Sequence, residues 1–358
     1  MKLLLVNDQF ERGGAGRVAA IMCNGFYSEG IDITVATDKL HWHDTYKINS
    51  NIPIVDIDTK SCGNRFFKWL KCSKKIRCYV KNNRPDCIIA VQSMMFFVTW
   101  LACLGLKVPI IAADHTSFSR KIHPLIDFIR YHLYSRASAL SILTKKDERL
   151  LGEKFPNKRV IYNPLSFPVL QCKKLRKKTI LCVGRFESWH VKGFDIIFDV
   201  WEKIHEKYPE WLLEIAGSGD QKFQGEILEM ISQRNLLHRV KLLGHVDNMK
   251  DLYSETSIFV LCSRTEGFPM VLMEAMSQGC ACIAFSVGGA TEEMMSKDSG
   301  LLIPDNDILG LSNALEKLIS DDLQRLNFSK NAMSEVARFS EESFIDNWLK
   351  LLKNTIKK

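Results

Sequence analysis

Two glutamates lie eight positions apart in the segment RTEGFPMVLMEAMSQG, residues 264–279. Glu266 precedes a Gly-Phe-Pro sequence, and Glu274 follows a run of apolar residues. An ionised carboxylate accepts hydrogen bonds from two hydroxyl groups at once, so each glutamate suits a vicinal diol. The spacing fits a segment that holds both the ribose and the sugar of a nucleotide sugar, although two surface glutamates around a core helix would look the same.

The local sequence predicts a helix between these two carboxylates. Pro269 suits the first turn, where its missing N–H costs nothing, and Gly279 is a typical helix end. The unpaired N–H groups at Phe268–Val271 then form an anion site suited to a diphosphate. On this prediction Glu266 lies in the loop before the helix and Glu274 lies on the helix itself.

Two cations follow a second predicted strand, in the segment VGRFESWHVKGFD, residues 183–195. Arg185 and Lys192 have the charge and the reach to neutralise a diphosphate between them. The alternative is that both are ordinary solvated loop residues. We treat them as candidates because they follow a strand end, where ligands of parallel sheets bind.

The first predicted strand is followed by the glycine-rich segment GGAGR, residues 13–17, where backbone can approach a phosphate closely. This segment is not the G-x-G-x-x-G dinucleotide fingerprint. His115, in AADHTS, follows another strand end. Its neutral imidazole could bond a sugar hydroxyl, although a lone histidine is more often structural.

These residues are positioned by a regular alternation of strand-like and helix-like runs. The runs KLLLVND, IDITVAT, DCIIAV, VPIIAAD and ALSILT are strand-like, and KTILCVGRF, WLLEIAGSGD, RVKLLGHV, SIFVLCS and ACIAFS resume the pattern near residue 179. Such alternation predicts an α/β fold of two doubly wound, Rossmann-like parallel-sheet domains that face each other across a cleft.

The predicted domain boundaries follow from a polar, basic segment with two prolines, NPLSFPVLQCKKLRKK. We expect an N-terminal acceptor-side domain over 1–168, a linker over 169–178 and a C-terminal donor-binding domain over 179–340. The tail FSEESFIDNWLKLLKNTIKK reads as a capped amphipathic helix, which we place at 341–358 and expect to pack back on the N-terminal domain.

Composition indicates a globular intracellular protein. The chain has 358 residues, 46% hydrophobic and 25% charged, and eleven cysteines without CxxC or zinc spacing. This usage predicts reduced core thiols and a cytoplasmic location. The uncharged stretch 87–106 reaches transmembrane length, but Gln92 and Ser93 divide it into a strand-like and a helix-like run.

The net charge of +8 is uneven. Residues 1–170 contain 25 Lys and Arg against 14 Asp and Glu, and the remainder contains 24 against 27. Residues 60–84 hold nine Lys and Arg and no acid, with apolar residues near helical spacing. Two interpretations remain: a core-facing stripe with a solvated basic face, or a helix that docks on anionic lipid at the inner face of the cell membrane.

Taken together, these segments resemble the family-4 retaining glycosyltransferases of the GT-B fold. The E-x7-E element is EGFPMVLME, the Arg/Lys element is VGRF…KGFD, and GGAGRV and IYNP match the glycine loop and the end of the first domain. The resemblance covers essentially the whole chain. This sequence differs from the family pattern at Ala281, where relatives often have proline. It also differs in the glycine loop, where many relatives have GGAER, and this second difference affects what can be expected of acceptor binding.

The resemblance implies a role for each candidate. Arg185 and Lys192 would bind the donor diphosphate, Glu274 the ribose and Glu266 the donor sugar. His115 would contact the transferred sugar near its O6. As catalytic we assign His115, Arg185, Lys192 and Glu266. As donor-binding we assign Gly13, Gly14, Gly16, Gly184, Gly244, His245, Val246, Gly267, Phe268, Pro269, Met270, Val271 and Glu274.

The implied activity is transfer of a hexose or N-acetylhexosamine, with retention, from a nucleotide sugar, which we expect to be a UDP-sugar. The expected acceptor is a saccharide, free or lipid-linked, in glycan or surface polysaccharide biosynthesis. The resemblance implies that neither a metal nor a cofactor is needed.

Other functions agree less well with the sequence. A nucleotide-sugar epimerase-like protein or a binding-only protein of the same fold is the alternative, though the intact Arg/Lys/Glu set argues against binding alone. A phosphorylase would be far longer and carry a pyridoxal lysine. A Rossmann oxidoreductase lacks its fingerprint here, and no nucleic-acid recognition motif accompanies the basic charge.

Overall fold

The computed structural model describes residues 1–10, 13–38, 46–58, 65–171 and 175–357 and divides the chain into two compact units. The first unit is Met1–Pro164 with Phe339–Lys358, and the second is Leu165–Arg338. The division thus lies four residues before the predicted boundary at 168.

The first unit is built on a seven-stranded parallel sheet. Its strands are β1 (Lys2–Val6), β2 (Asp32–Thr37), β3 (Ile54–Asp56), β4 (Cys87–Val91), β5 (Ile110–Ala113), β6 (Ala139–Ile142) and β7 (Lys158–Val160). They are ordered β3-β2-β1-β4-β5-β6-β7. The order reverses between β1 and β4, which makes the carboxyl ends of these two strands the switch point where ligands bind in such sheets.

Five helices connect the strands of this unit. They are α1 (Gly14–Ser28), α2 (Arg65–Asn83), α3 (Ser93–Ala102), α4 (Pro124–Phe128) and α5 (Lys145–Leu151). The uncharged stretch is therefore a buried strand, β4, and a helix, α3, as predicted. Among the described residues, the model contains no helix with the length and apolar character needed to cross a bilayer.

The second unit repeats the design with six parallel strands. They are β8 (Lys177–Val183), β9 (Leu212–Ala216), β10 (Val240–Gly244), β11 (Thr256–Leu261), β12 (Ala281–Phe285) and β13 (Gly300–Ile303). The order is β10-β9-β8-β11-β12-β13. Here the switch point lies between β8 and β11, and the two doubly wound parallel sheets predicted from the sequence are confirmed.

The helices of the second unit cover both faces of this sheet. They are α6 (Trp189–Lys192), α7 (Phe194–Ile204), α8 (Gln221–Gln233), α9 (Met249–Glu255), α10 (Met270–Ser277), α11 (Ala290–Met294), α12 (Ile308–Ser320) and α13 (Asp322–Val336). All six residues of β11 and all five of β12 are buried, as expected for strands covered on both sides. The buried face of α7, including Phe198 and Trp201, completes this core.

The chain ends in α14 (Glu341–Ile356), which belongs to the first unit. The Ser340 hydroxyl caps it by accepting from the Ser343 N–H at 3.1 Å, as the sequence predicts. Its apolar face is buried, and Ile345 lies against α1 where Gly25 leaves room: a Cβ there would be 2.5 Å from Ile345 Cγ1.

The cysteines of the described residues are free thiols, and all except Cys78 are buried. Burial raises the pKa of Cys87 and of Cys280 to about 12, so these thiols stay protonated and unreactive at neutral pH. The prediction of core thiols is confirmed for these residues, while Cys62 and Cys172 lie outside the described residues.

Candidate functional site

The switch point of the second unit brings together two of the predicted residues. Lys192 lies in the segment after β8 and Glu266 in the segment after β11, on adjacent strands of the sheet. The Lys192 Nζ is 2.8 Å from Glu266 Oε1, with the lysine side chain 22% and the glutamate side chain 11% exposed. The pair places a cation and a carboxylate where the strand order reverses.

Two glycines fix the path of the lysine segment. The stem of Lys192 crosses Gly184, where an added Cβ would lie 2.7 Å from Lys192 Cγ. Gly193, at φ +70°, lies so close to strand β11 that an added Cβ would overlap the carbonyl oxygen of Cys262. The segment therefore packs backbone to backbone against β11, which limits the positions that the ammonium can take.

A second ion pair, not foreseen from the sequence, ties the same two segments together. Arg264 Nη1 donates to Asp195 Oδ1 at 2.9 Å and Nη2 donates to Asp195 Oδ2 at 2.6 Å. The Arg264 backbone N–H also donates to the carbonyl of Val191 at 2.8 Å. Burial alone would raise the pKa of Asp195, but the hydrogen bonds and charge of Arg264 hold it below its ordinary value.

Arg185 lies two residues after the end of β8 and is exposed. Its guanidinium forms no hydrogen bond or ion pair with the part of the chain that the structure describes. A planar donor of this kind at a strand end is suited to bind an oxyanion.

The helix predicted between the two glutamates is present as α10. Pro269 lies one residue before its first turn, at the N-cap, and the helix ends before Gly279. No side chain caps the start, and neither Phe268 nor Met270 is charged. The Leu272 N–H donates to the Pro269 carbonyl at 3.1 Å, so the N–H groups of Met270 and Val271 are the first-turn donors that could meet an anion at this edge of the sheet, together with the positive end of the helix dipole.

Glu274 lies on α10 and is buried, with both carboxylate oxygens held by residues of the same unit. The Ser166 hydroxyl donates to Oε1 at 2.5 Å and the Tyr253 hydroxyl donates to Oε2 at 3.1 Å. A carboxylate oxygen carries more than one lone pair and can accept from more than one hydroxyl group. The ribose role of Glu274 remains a prediction, and its two partners were not identifiable from the sequence.

The donor-binding residues predicted around Gly244 lie at the same edge of the sheet. Strand β10 ends at Gly244, whose carbonyl accepts from the Gly217 N–H at 2.9 Å. His245 Nε2 lies 3.0 Å from Asp247 Oδ1, so the imidazole is engaged locally. Strand β9 separates β10 from β8, which places Val246 and its neighbours to one side of the lysine pair.

In the first unit, the glycine segment forms an uncapped helix start beside the switch point of its sheet. Gly13 is the N-cap of α1, Gly14 begins the helix and Gly16 is buried within it. No acidic residue occupies the first turn, and an added Cβ on Gly13 would meet nothing within 4 Å. The segment thus presents open backbone, as predicted for close approach of a ligand.

His115 lies just beyond the end of β5, and both of its ring nitrogens are buried. Neither nitrogen, nor the buried Asn163 Oδ1, has a hydrogen-bond partner among the described residues. Burial lowers the pKa of His115. The Asp114 charge and the nearby Asn163 side chain raise this pKa, but by less, so the ring is neutral at pH 7. Unpaired buried polar atoms are costly, and a ligand hydroxyl would satisfy them.

The loop that carries His115 is held by a buried arginine. Arg130 lies in a π-helical turn, Ile129–Leu133, and its Nη2 donates to the Thr116 carbonyl at 2.7 Å. The Tyr134 hydroxyl, at 3.0 Å from Asp114 Oδ2, holds the residue that precedes the histidine. Turns of this π type often occur at functional sites. No sequence pattern predicted this arrangement.

The basic stretch 60–84 lies mostly on α2. Residues 60–64, and the side chains of Arg65 and Phe66, lie outside the described residues. Ile76 and Val80 are buried in the core, as one interpretation predicts, but Phe67 is 68% and Leu70 is 38% exposed. The helix therefore combines a core-facing stripe with two outward apolar side chains among its lysines.

Comparison with known proteins agrees with these observations. Residues 171–335 match the family described as "Glycosyl transferases group 1", and residues 12–166 match "Glycosyltransferase Family 4". The two matches together span nearly the whole chain and meet close to the division between its two units.

Three relatives are similar to this chain over almost their full length. An uncharacterized glycosyltransferase of Haemophilus influenzae is 28% identical over 95% of this chain and 96% of its own. The amylovoran biosynthesis glycosyltransferase AmsD of Erwinia amylovora is 26% identical over 98% and 99%. An α-1,4-N-acetyl-D-galactosaminyltransferase of Campylobacter jejuni, named for an undecaprenol-PP-linked acceptor, is 25% identical over 98% of each chain.

Solved structures share the fold. Sucrose-phosphate synthase from Thermosynechococcus elongatus has a TM-score of 0.86 at 18% identity, covering 100% of this chain and 99% of its own. Anabaena HepE, solved with UDP and glucose, has a TM-score of 0.81 at 19% identity, covering 99% and 100%. With both halves matching glycosyltransferase models and both sheets matching their fold, the chain belongs to the family-4 glycosyltransferases of the GT-B fold.

Proposed function

We propose that this glycosyltransferase moves a hexose or N-acetylhexosamine from a UDP-sugar to a saccharide acceptor, with retention of anomeric configuration and without a metal ion. The observation that carries the proposal is the Lys192–Glu266 pair at the β8/β11 switch point. A cation for the leaving phosphate and a carboxylate for the sugar hydroxyls lie side by side there, and the uncapped start of α10 follows Glu266 by four residues.

The chemistry assigned to the second unit is stabilisation of the leaving group. As the bond from the anomeric carbon to the phosphate oxygen breaks, negative charge develops on the nucleoside diphosphate. Arg185, Lys192 and the N–H groups at the start of α10 would stabilise that charge. Removing one such donor typically costs about 3–4 kcal/mol of transition-state stabilisation.

Retention follows if the acceptor attacks from the face that the diphosphate leaves. The acceptor oxygen bonds to the anomeric carbon, and its proton passes to the departing phosphate oxygen, so no protein base is required. Glu266 would hold hydroxyls of the donor sugar and Glu274 those of the ribose. His115, neutral at pH 7, would orient the transferred sugar by hydrogen bonding, a role that its unpaired ring nitrogens support.

The nature of donor and acceptor is proposed from the relatives. HepE was solved with UDP, with UDP and glucose, and with UDP-glucose. The C. jejuni relative is named for N-acetylgalactosamine transfer to an undecaprenol-PP-linked saccharide, and AmsD for amylovoran biosynthesis. These names favour a lipid-linked saccharide acceptor in polysaccharide or glycolipid biosynthesis.

A lipid-linked acceptor would be met at a membrane surface, and α2 is the element suited to reach it. Phe67 and Leu70 are exposed, and Lys68, Lys71 and Lys74 lie within four positions of them along the helix, Lys71 being paired with Asp58 at 2.6 Å. Apolar side chains among cations on one helix are typical of docking on anionic lipid. We therefore propose peripheral association through α2.

A thermal-shift panel of UDP-, GDP- and ADP-sugars tests the proposed donor. A ligand at 100 times its dissociation constant adds about 2.7 kcal/mol of stability, which shifts the melting midpoint measurably. Stabilisation by UDP-sugars supports the proposal, and stabilisation by GDP- or ADP-sugars alone would replace the proposed base. NMR of the product then determines its anomeric configuration, and an inverted product would overturn the proposed retention. Turnover is also measured with excess EDTA, and loss of turnover would overturn the proposed independence of metal.

A further inference from the structure

The short helix α6 has little support of its own. Helix α6 is a single turn of four residues, Trp189–Lys192, and Lys192 is its last residue. Isolated helical turns are not stable, because nucleation costs more than one hydrogen bond returns. The position of the Lys192 ammonium must therefore be set by contacts from outside this segment.

Arg264 supplies many of these contacts. Its side chain bonds both oxygens of Asp195 and, at 2.5 Å, the carbonyl of His190, and its backbone N–H bonds the carbonyl of Val191. The bonded groups lie on both sides of Lys192 in the sequence. A planar guanidinium that grips a carboxylate with two parallel bonds fixes both distance and orientation.

The same arginine stands two residues before Glu266. Two ion pairs thus join the same two segments, Arg264–Asp195 and Glu266–Lys192. The segment after β11 supplies the cation of the first pair and the anion of the second. One cross-link joins the groups that the proposed reaction uses. The other joins groups that have no assigned contact with the donor.

We propose that Asp195 and Arg264 are positioning residues, which hold the Lys192 ammonium and the Glu266 carboxylate at the separation that the donor pyrophosphate and sugar require. The inference rests on the proposed function of Lys192 and Glu266. Misplacement of a binding group by about 1 Å can cost on the order of a hundredfold in rate. Loosening the Arg264–Asp195 pair should therefore weaken pyrophosphate binding by about 10- to 100-fold.

The unit also contains a matched control. Arg234 and Asp199 form an arginine–aspartate pair with an Nη2–Oδ1 distance of 2.7 Å, and Arg234 likewise bonds a backbone carbonyl, that of Met230. Both pairs are partly exposed, and such pairs add little to stability. Asp199 lies on α7 one turn beyond Asp195, and Arg234 lies just after α8, where it pairs with Asp199 rather than with the residues around Lys192.

The experiment is calorimetric titration of the full chain with inorganic pyrophosphate, which does not depend on the identity of the base. The variants are Asp195→Asn, Arg264→Lys and Lys192→Ala, with Asp199→Asn and Arg234→Lys as controls. We expect weaker binding by Asp195→Asn and Arg264→Lys and wild-type binding by both controls. If Asp195→Asn does not fold, Arg264→Lys, which keeps the charge and loses the planar grip, carries the same comparison.

A double-mutant cycle separates positioning from general loss of stability. If Asp195 acts through Lys192, adding Asp195→Asn to Lys192→Ala should weaken pyrophosphate binding by less than about threefold more, because the group it positions is already gone. Full additivity, or wild-type binding by Asp195→Asn alone, would overturn the positioning role and leave the proposed function intact. Wild-type binding by Lys192→Ala would overturn the proposed function itself, and the positioning role with it.

Discussion

Arg130 Nε lies 2.9 Å from Asp114 Oδ2, and both side chains are almost completely buried in the first unit. The guanidinium also stacks on Phe118, with 4.0 Å from Cζ to the ring centroid. Asp114 directly precedes His115, so this buried pair fixes the start of the loop that carries the candidate sugar-binding histidine.

Removing the arginine of this pair should strongly destabilise the first unit. Arg130→Met leaves the Asp114 carboxylate buried without its cation, which costs about 3–5 kcal/mol. Urea unfolding, followed by circular dichroism, measures the loss. Arg136→Met, at an exposed arginine six residues on, is the control and should cost less than about 0.5 kcal/mol. Equal effects of the two variants would contradict the importance of the buried pair.

Loss of either member of the lysine–glutamate pair should disable turnover. Lys192→Ala removes a donor to the leaving diphosphate, and Glu266→Ala removes an acceptor for the sugar hydroxyls, so each should lower kcat by about a hundredfold or more. Steady-state kinetics with the donor chosen by the nucleotide-sugar panel measures this. The control is Lys207→Ala, which breaks an exposed ion pair with Glu316 in the same unit. Near-wild-type kcat in both site variants would remove them from the site.

Gly184→Ala should act on the site through Lys192. The new Cβ would lie 2.7 Å from Lys192 Cγ, so the lysine stem must move, and we expect about a tenfold loss of turnover with little loss of stability. Gly225→Ala is the matched control, because nothing lies within 4 Å of its Cβ position in α8. That variant should keep its activity and gain roughly 0.5–1 kcal/mol of stability. Wild-type turnover by Gly184→Ala would show that the Lys192 side chain can move aside without harm to the reaction.

Acidification should destabilise the first unit through His115. Its pKa is lowered in the folded state, so below about pH 6.5 the unfolded chain binds a proton that the folded chain does not. Stability therefore falls as the pH drops from about 6.5 toward the folded pKa, and this contribution is constant above 6.5. Melting midpoints between pH 5 and 8 measure the slope. His115→Gln should flatten it, whereas His132→Gln, at an exposed ring, should not; an unchanged slope in His115→Gln would contradict the burial effect.

Membrane association should depend on the two exposed apolar residues of α2. Phe67→Ser combined with Leu70→Ser should reduce flotation with phosphatidylglycerol vesicles, and pure phosphatidylcholine vesicles should bind little, since each near-surface cation adds about 1 kcal/mol on anionic lipid. Leu323→Ser, at a leucine that is 75% exposed in the second unit, is the control. Flotation that is insensitive to both the lipid charge and the α2 variant would favour an acceptor met in solution.

The sequence predicted the central strands of both sheets and the helix between the two glutamates, because these elements carry strong local patterns. Strands covered on both faces read as continuous apolar runs, as in β4 and β11. The three strands that the sequence did not indicate, β3, β7 and β13, are all edge strands. They have three or four residues each and are only partly buried, so they show neither an apolar run nor a clear alternation.

The residues that support the site were harder to predict than those assigned to the chemistry. Lys192 and Glu266 belong to motifs that the sequence displays, whereas Asp195 and Ser166 become meaningful only through partners 69 and 108 positions away. The predicted linker illustrates the same limit. Arg176 reads as one of several linker cations, yet its guanidinium donates to the carbonyl of Gln278 at 2.7 Å, behind the end of α10. Hydrogen bonds between residues so far apart in the sequence depend on how the elements are arranged in the fold, so local sequence patterns do not predict them.

The two outer strands of the first sheet, β3 and β7, are too short to favour edge-to-edge pairing with a second molecule. Strand β7 offers three residues, of which Lys158 and Arg159 are cationic, and β3 offers only three more. A second molecule that tried to extend the first sheet would find few open backbone groups and, at β7, a repelling charge. Short length at both borders and charge at β7 therefore disfavour continuous intermolecular sheets along β3 and β7.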